Sequence, residues 1–140
     1  MDIDRALEAA RANHQSVLTT LRKNGRPQLS NVLHGVGEDG VIRISTSADR
    51  AKYVNLRRTP WAALHVDGES FWSYAVLEAD VELSEVAADP HDATVDELVE
   101  LYRSLSGEHD DWNDYRQAMV SDRRVVLRLR PTRAYGALPA

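Results

Sequence analysis

The chain has 140 residues and a mass of 15.7 kDa, the size of a single domain that buries about 70% of its unfolded surface without a disulfide or metal staple. It contains no cysteine, which excludes disulfide frameworks, thiol catalysis and thiolate metal sites. Its longest apolar runs are Trp61 to Leu64 and Tyr74 to Leu77, too short to span a bilayer. The acidic start (Asp2, Asp4) lacks the basic-then-apolar pattern of a leader, so the expectation is a soluble, cytoplasmic protein with no membrane partner.

The first element is a helix from Asp2 to Asn13, with Asp2 as cap and Ile3, Leu7 and Ala10 at helical spacing. A strand follows from Gln15 through Leu21, rich in β-branched residues, and Asn24-Gly25 turns the chain. The second strand runs from about Pro27 to Val36. A turn over Gly37 to Gly40 leads to a third strand, Val41 to Thr46, and Arg50 to Arg57 reads as a short helix ended before Pro60. Trp61 to Asp67 is a fourth strand, turned at Gly68. A long fifth strand runs from about Phe71 to Val86, alternating apolar Ala75, Leu77, Ala79, Val81 with Val76, Glu78, Asp80, Glu82. Thr94-Val95-Asp96-Glu97 is a capping box opening a helix to Gly107, with Leu98, Leu101, Tyr102 and Leu105 on one stripe. Asp111 caps a further helix carrying Trp112, Tyr115 and Met119. Arg124 to Arg130 is the last strand, closed by Pro131.

Six strands joined mostly by hairpins exclude a doubly wound parallel sheet. They predict a single mainly β domain over residues 1–140, a six-stranded antiparallel barrel with flanking helices.

The net charge of −5 is unevenly spread. Residues 1–60 carry ten Lys/Arg against six Asp/Glu, residues 61–122 two against sixteen, and residues 123–140 five against none. Two basic ends flanking an acidic middle suit either an anion-binding surface built from both ends or solvated helix faces. A pI near 5.5 and the absence of a reading motif exclude nucleic acid as the expected partner.

Gly35-Val36-Gly37-Glu38-Asp39-Gly40 matches the dinucleotide-binding pattern in letters only. That motif opens a helix, whereas Val41-Ile42-Arg43-Ile44 is a strand, so the glycines belong to a hairpin turn. The five histidines are at least eighteen residues apart with no ligand spacing, and no metal site is expected. No Gly-x-Ser-x-Gly elbow is present. The informative stretch is Ser45-Thr46-Ser47-Ala48-Asp49-Arg50-Ala51-Lys52. A strand ends in three hydroxyls and a helix begins with two cations. Such a junction is an anion site or an ordinary capped helix with basic residues in solvent.

Longer patterns carry a resemblance. Val17-Leu18-Thr19-Thr20, then Asn24 through Asn31, then Arg50-Ala51-Lys52 with Asn55 through Pro60, resemble the pyridoxamine-phosphate-oxidase-like split β-barrel family. Leu101-Tyr102-Arg103, Gly107-Glu108-His109, Asp111-Trp112, Asp114 through Val120 and Asp122-Arg123-Arg124 are similar to the branch that uses the deazaflavin coenzyme F420. The resemblance covers about residues 14–136. It implies a homodimer of six-stranded split barrels with cofactor at the subunit interface. It implies that Ser45, Thr46, Arg50 and Lys52 hold the cofactor phosphate. Gln28, Ser30 and Asn31 then lie along the ring system. Arg57, with Lys23, Arg26, Arg58, Arg123 and Arg124, lines a track for an anionic tail. Trp72 and Tyr74 approach the site from one subunit or the other, or serve only packing.

The implied activity is hydride transfer from reduced F420 to an electron-poor small organic substrate. An FMN-dependent reductase or oxidase, and a non-catalytic F420 or flavin carrier, are the alternatives. No side chain is required as a nucleophile, and water, Tyr74 and His34 are the candidate proton donors. The hairpin Leu33 to Gly37 departs from the family pattern, and the C-terminal substrate residues of full pyridoxamine-phosphate oxidases are missing, so that activity is not implied.

Overall fold

The computed structural model describes residues 1–139. Its elements are α1 (Ile3–Ala12), β1 (Gln15–Leu21), β2 (Pro27–Leu33), β3 (Gly35–Val36), β4 (Ile42–Ser47), α2 (Ala51–Arg58), β5 (Trp61–Asp67), β6 (Tyr74–Leu83), α3 (Ala93–Ser106), α4 (Trp112–Ser121) and β7 (Arg124–Ala137). The strands form one antiparallel sheet in the order β2-β1-β5-β6-β7-β4-β3. Its two edges, β2 and β3, are consecutive in the chain, so the sheet curls until they meet: a split barrel. No helix among the described residues is long and apolar enough to cross a membrane.

Seven strands stand where six are expected, because the expected second strand breaks at His34. Leu33 still pairs with Gln15 of β1, whereas Gly35 pairs with Arg43 of β4. Between them the His34 ring turns inward and is fully buried. Its Nε2–H donates to the Ala10 carbonyl at 2.9 Å, and its Nδ1 accepts from the Ser16 hydroxyl at 2.7 Å. The histidine thereby pins the end of α1 to the corner where the chain changes ladders. Burial is the main cause holding its imidazole below the ordinary histidine range.

Three further boundaries differ from the sequence reading. β6 begins at Tyr74 rather than Phe71, because Ser70 to Ser73 forms a turn with the Ser73 amide donating to the Ser70 carbonyl at 3.0 Å. The N-cap of α3 is Asp92, whose carboxylate accepts from the Val95 amide at 2.8 Å. Thr94 instead donates its hydroxyl to the Glu85 carbonyl, and Glu97 is taken by two arginines, so no capping box forms. β7 runs through Pro131 to Ala137, since a register shift at Glu78/Ala79 places Pro131 opposite Ala79 in a bulge. A bulge tolerates the missing proline N–H.

The barrel interior is mostly apolar, with Ser16 and Thr20 of β1 as buried polar side chains beside Leu18. Leu18, Ile44, Leu64, Leu77 and Leu127 are fully buried there, with Ala6, Leu7 and Ala10 of α1 and Leu56 of α2 over the openings. A second, smaller core lies on the outer face of β7, where Val126 meets Val95, Leu98 and Val99 of α3 and Met119 of α4. This second core places a helical pair beside the rim of the barrel.

Candidate cofactor site

A cleft of about 620 Å³ opens between the edge of β2, the end of β4 and the α3–α4 pair. Its β-strand side is lined by Ser30, Asn31, Val32, Leu33, Ser45 and Thr46. Leu98, Leu101, Tyr102 and Leu105 of α3 form the opposite wall, with Tyr115 and Met119 of α4. Arg50, Lys52 and Arg124 gather at one end. Among the described residues no carboxylate lines it. One wall is apolar and aromatic, and one end is strongly cationic.

The helical wall is held by polar groups with little freedom. Glu97 of α3 accepts from Arg43 Nε at 2.9 Å and from Arg128 Nη2 at 2.5 Å, so it clamps α3 to β4 and β7. The Arg128 hydrogen bond is the largest cause holding the Glu97 carboxyl below its usual range. Gly35 allows the helix to lie close: a Cβ there would stand 2.8 Å from Leu101 Cδ1. This glycine serves packing; the turn itself is made at Gly37 to Gly40, where Gly40 adopts φ +79°. Tyr115 donates its hydroxyl to the Leu98 carbonyl at 3.0 Å, and burial pushes its phenol up to about 12. Tyr102 packs on Tyr115 and Trp112 with ring centroids 5.0 and 5.7 Å apart.

The cationic end follows from the start of α2. Its N-cap is Arg50, no side chain bonds the cap, and the first turn holds no acid. Asp49, the residue placed for an ordinary cap, does not bond the helix start; the Ser47 hydroxyl is the first cause holding its carboxyl below the usual range. Among the described residues neither Arg50 nor Lys52 takes part in an ion pair. Burial first, then the charges of Arg50 and Arg124, hold the Lys52 ammonium below the usual lysine range. An anion among the three cations reverses that repulsion. The donor set therefore fits a phosphate: hydroxyls on Ser45 and Thr46, cations on α2 and β7, and a helix start uncapped by side chains.

Of the residues singled out in the sequence, the cleft collects Ser30, Asn31, Ser45, Thr46, Arg50 and Lys52. It does not collect four others. Gln28 accepts from the Asn55 amide at 3.1 Å inside the barrel mouth. Arg57 lies exposed with its guanidinium 5.9 Å from the Tyr53 ring. Trp72 is 79% exposed in the turn before β6, edge-on to Phe71. Tyr74 stacks on His65 at 5.3 Å, on another part of the sheet. Arg58 is also engaged elsewhere, donating to the Leu21 carbonyl and to Asn55 Oδ1. As a proton donor His34 is ruled out by geometry, since both ring nitrogens are bonded in the interior. The sequence reading missed the helical wall. Leu98 and Leu105 read only as the apolar stripe of a helix, Leu101 and Tyr102 also as part of the branch resemblance, and neither reading gave them a place in the site.

A split barrel with an oxyanion-suited cleft on its rim is the class that fold and site define. The chain belongs to the pyridoxamine 5'-phosphate oxidase family, whose model matches residues 3–137. Among solved structures it is similar to a conserved hypothetical protein of Mycobacterium tuberculosis, at 21% identity over 96% of this chain and 82% of that one, with a TM-score of 0.73. It is similar to an F420 reductase, at 24% identity over 86% and 88% of the two chains, with a TM-score of 0.65. A pyridoxamine 5'-phosphate oxidase-related, FMN-binding protein of Nostoc punctiforme matches at 19% identity over 94% and 80%, with a TM-score of 0.66. At these identities the likeness is one of fold.

Proposed function

We propose that this chain is an F420-dependent oxidoreductase acting on an electron-poor small organic substrate. Family membership supports a flavin-type cofactor. The F420 preference rests on the residues of α3 and α4 that resemble the deazaflavin branch, Leu101 through Arg124. The observation that carries the reading is the cleft itself, in which three cations and two hydroxyls meet at one end of an apolar and aromatic wall.

Reduced F420, when bound, supplies the hydride. The protein supplies position, charge and exclusion of water. Ser45, Thr46, Arg50 and Lys52 would hold the phosphate, with Ser30 and Asn31 along the ring system. Leu98, Leu101, Tyr102 and Met119 keep water from the apolar part of the cleft. Among the described residues the cleft holds no carboxylate and no histidine, and water or Tyr74 of a second copy is left as the proton donor expected from the sequence.

A homodimer belongs to the same proposal. Leu29 and Leu33 alternate outward along the edge strand β2 and are 61% and 56% exposed. Exposed apolar residues in a row on an edge strand suit burial against a second copy. That copy is the route by which Trp72 and Tyr74 reach a site their own protomer keeps them from. Sedimentation at micromolar concentration should give a dimer; a monomer with cofactor binding intact overturns this part.

The test of cofactor choice is titration of the apo-protein with F420 and with FMN side by side, followed by tryptophan fluorescence. Trp112 packs on Tyr102, which lines the cleft, so it reports on occupancy. F420 is expected to bind more tightly. Equal or tighter binding of FMN turns the reading to an FMN enzyme. F420 binding without reductase activity across a substrate panel turns it to a carrier.

A further inference from the structure

The helical wall of the cleft carries two phenols, Tyr102 on α3 and Tyr115 on α4. Their hydroxyls are used differently. Tyr115 donates to the Leu98 carbonyl at 3.0 Å, inside the wall. Among the described residues, none of the side-chain hydrogen bonds of α3, α4 and the loop between them involves the Tyr102 hydroxyl. Nor does protein enclose that hydroxyl, since the buried side-chain atom left without a partner among the described residues is Arg124 Nε.

The Tyr102 ring is fixed nonetheless. The ring centroids of Tyr115, His109 and Trp112 lie 5.0, 5.2 and 5.7 Å from it. Trp112 is held in turn by Glu108, which accepts from the indole Nε1–H at 2.9 Å and from Arg103 Nε at 2.8 Å. Three rings packed on one half-buried phenol leave it little freedom. A general acid needs that fixed placement.

Proton transfer in enzymes falls to histidine, carboxyl, lysine, cysteine and tyrosine side chains. The chain has no cysteine, and among the described residues the cleft holds no carboxylate and no histidine. Lys52 stands among the cations that face the phosphate. Tyr115 has committed its hydroxyl to a carbonyl, and burial pushes its phenol up to about 12. Tyr102 remains.

We propose that Tyr102 is a catalytic residue of this cleft, the proton donor to the substrate as it is reduced. The inference rests on the reading of the cleft as a cofactor site: with the ring system along Ser30 and Asn31, a substrate over the ring's other face meets α3. The step is a two-electron reduction. A hydride forms a C–H bond at an electron-poor carbon, and the displaced π pair moves to a conjugated oxygen. The Tyr102 O–H bond breaks as that oxygen takes its proton. Water returns a proton to the tyrosinate. The cofactor leaves the step oxidised, its second hydrogen released to solvent as a proton.

The experiment uses the F420-loaded full chain with cyclohexenone as the probe, and compares the wild type with Tyr102→Phe and Tyr74→Phe. Thermal melts and F420 titration check that each variant folds and binds cofactor. The first readout involves no turnover: infrared difference spectra of the complex with oxidised F420, in which a hydrogen bond from a phenol lowers the carbonyl stretch of the probe. The wild type and Tyr74→Phe should show the lowered band, and Tyr102→Phe should lose it. The second is single-turnover reduction of the probe, which Tyr102→Phe should slow about a hundredfold or more with F420 affinity unchanged.

A wild-type band and rate in Tyr102→Phe overturn the inference while the cofactor reading stands, and so does a loss confined to Tyr74→Phe. A wild type that binds F420 but neither lowers the band nor reduces the probe overturns it too. If FMN binds and F420 does not, the F420 reading fails, and a band that depends on Tyr102 in the FMN complex upholds the inference. If neither cofactor binds, both fail. Should Tyr102→Phe not fold, a fluorotyrosine at position 102 keeps the ring and makes the phenol more acidic; an unchanged band and rate then overturn the inference.

Discussion

The β4–β7 ladder presents basic residues at both ends of one outer face, and the two ends are treated in opposite ways. At one end Arg43 stands opposite Arg128. Glu97 lies between them, Asp39 takes the far side of Arg43, and Glu82 takes the far side of Arg128. Every guanidinium there is matched by a carboxylate, and the result is a clamp for α3. At the other end, two residues of β4 beyond Ser45, Arg124 meets Arg50 and Lys52. Among the described residues the only carboxylate paired there is Asp122, at 3.8 Å. Matched charge on a half-buried face holds elements together. Unmatched charge of the same kind, beside hydroxyls and an apolar wall, is stored affinity for an anion.

The sharpest way to break the comparison is Glu97→Ala. It removes the carboxylate that Arg43 and Arg128 share, each about one quarter exposed, leaves them only Asp39 and Glu82, and removes the clamp on α3. The expected loss is about 2–3 kcal/mol, below the figure for a fully buried pair, or roughly 5–10 °C in melting temperature. Urea and thermal denaturation measure it, and an unchanged midpoint means that the matched end is not structural.

The mirror experiment is Lys52→Ala. It relieves repulsion among Lys52, Arg50 and Arg124 in the apo-protein, so folding stability should hold or rise. F420 affinity should fall at least tenfold, about 1.4 kcal/mol, at the lower end of what a charge-assisted contact to phosphate contributes. Wild-type affinity at both low and high salt removes the phosphate from this end.

His34 extends the comparison to a neutral group whose bonds are all made. Its folded-state pKa lies below the free value of 6.5. The unfolded chain therefore takes up the proton first, and the stabilisation is complete above about pH 6.5 and is lost as the pH falls toward the folded value. Urea midpoints between about pH 7.5 and 5.5 should decline for the wild type. They should decline less steeply for His34→Asn, which cannot titrate; parallel slopes assign the pH dependence to other groups.

The smallest effect expected is at Arg57. Exposed and outside the cleft, it is worth less than about a threefold change in F420 affinity, fading with added salt. A tenfold, salt-resistant loss on Arg57→Ala, measured by the same titration, places the anionic head of the cofactor elsewhere.

Much of the fold was legible because its signals are local. Asn24-Gly25 turns β1 into β2 with Gly25 at φ +82°. Alternation along residues 74–83 marked β6, and Asp2 and Asp111 cap the helices they precede. The misplaced boundaries share a cause. Thr94 and Glu97 have the spacing of a capping box, but the Glu85 carbonyl and the arginines of β4 and β7 offer them partners that a helix end does not. Pro131 reads as a stop, yet a bulge opposite Ala79 absorbs it. His34 sits in an unbroken strand pattern, and only α1, brought back from twenty-four residues earlier, supplies the carbonyl that turns it inward.

The candidate site divides in the same way. Ser45, Thr46, Arg50 and Lys52 lie within eight residues at a strand-to-helix junction, so the sequence by itself determined that hydroxyls and cations meet there. Whether those cations are matched was decided by tertiary structure alone. Arg43 and Lys52 are both cationic and lie nine residues apart in the chain. One finds Glu97, fifty-four residues away, and the other finds Arg124. The apolar wall from α3 and α4 was likewise written as helical periodicity, which specifies a buried face without naming what it covers. Local spacing sets backbone conformation through hydrogen bonds a few residues long. Compensation of charge and the walls of a cleft depend on which distant elements the curled sheet brings together, and no short pattern encodes that.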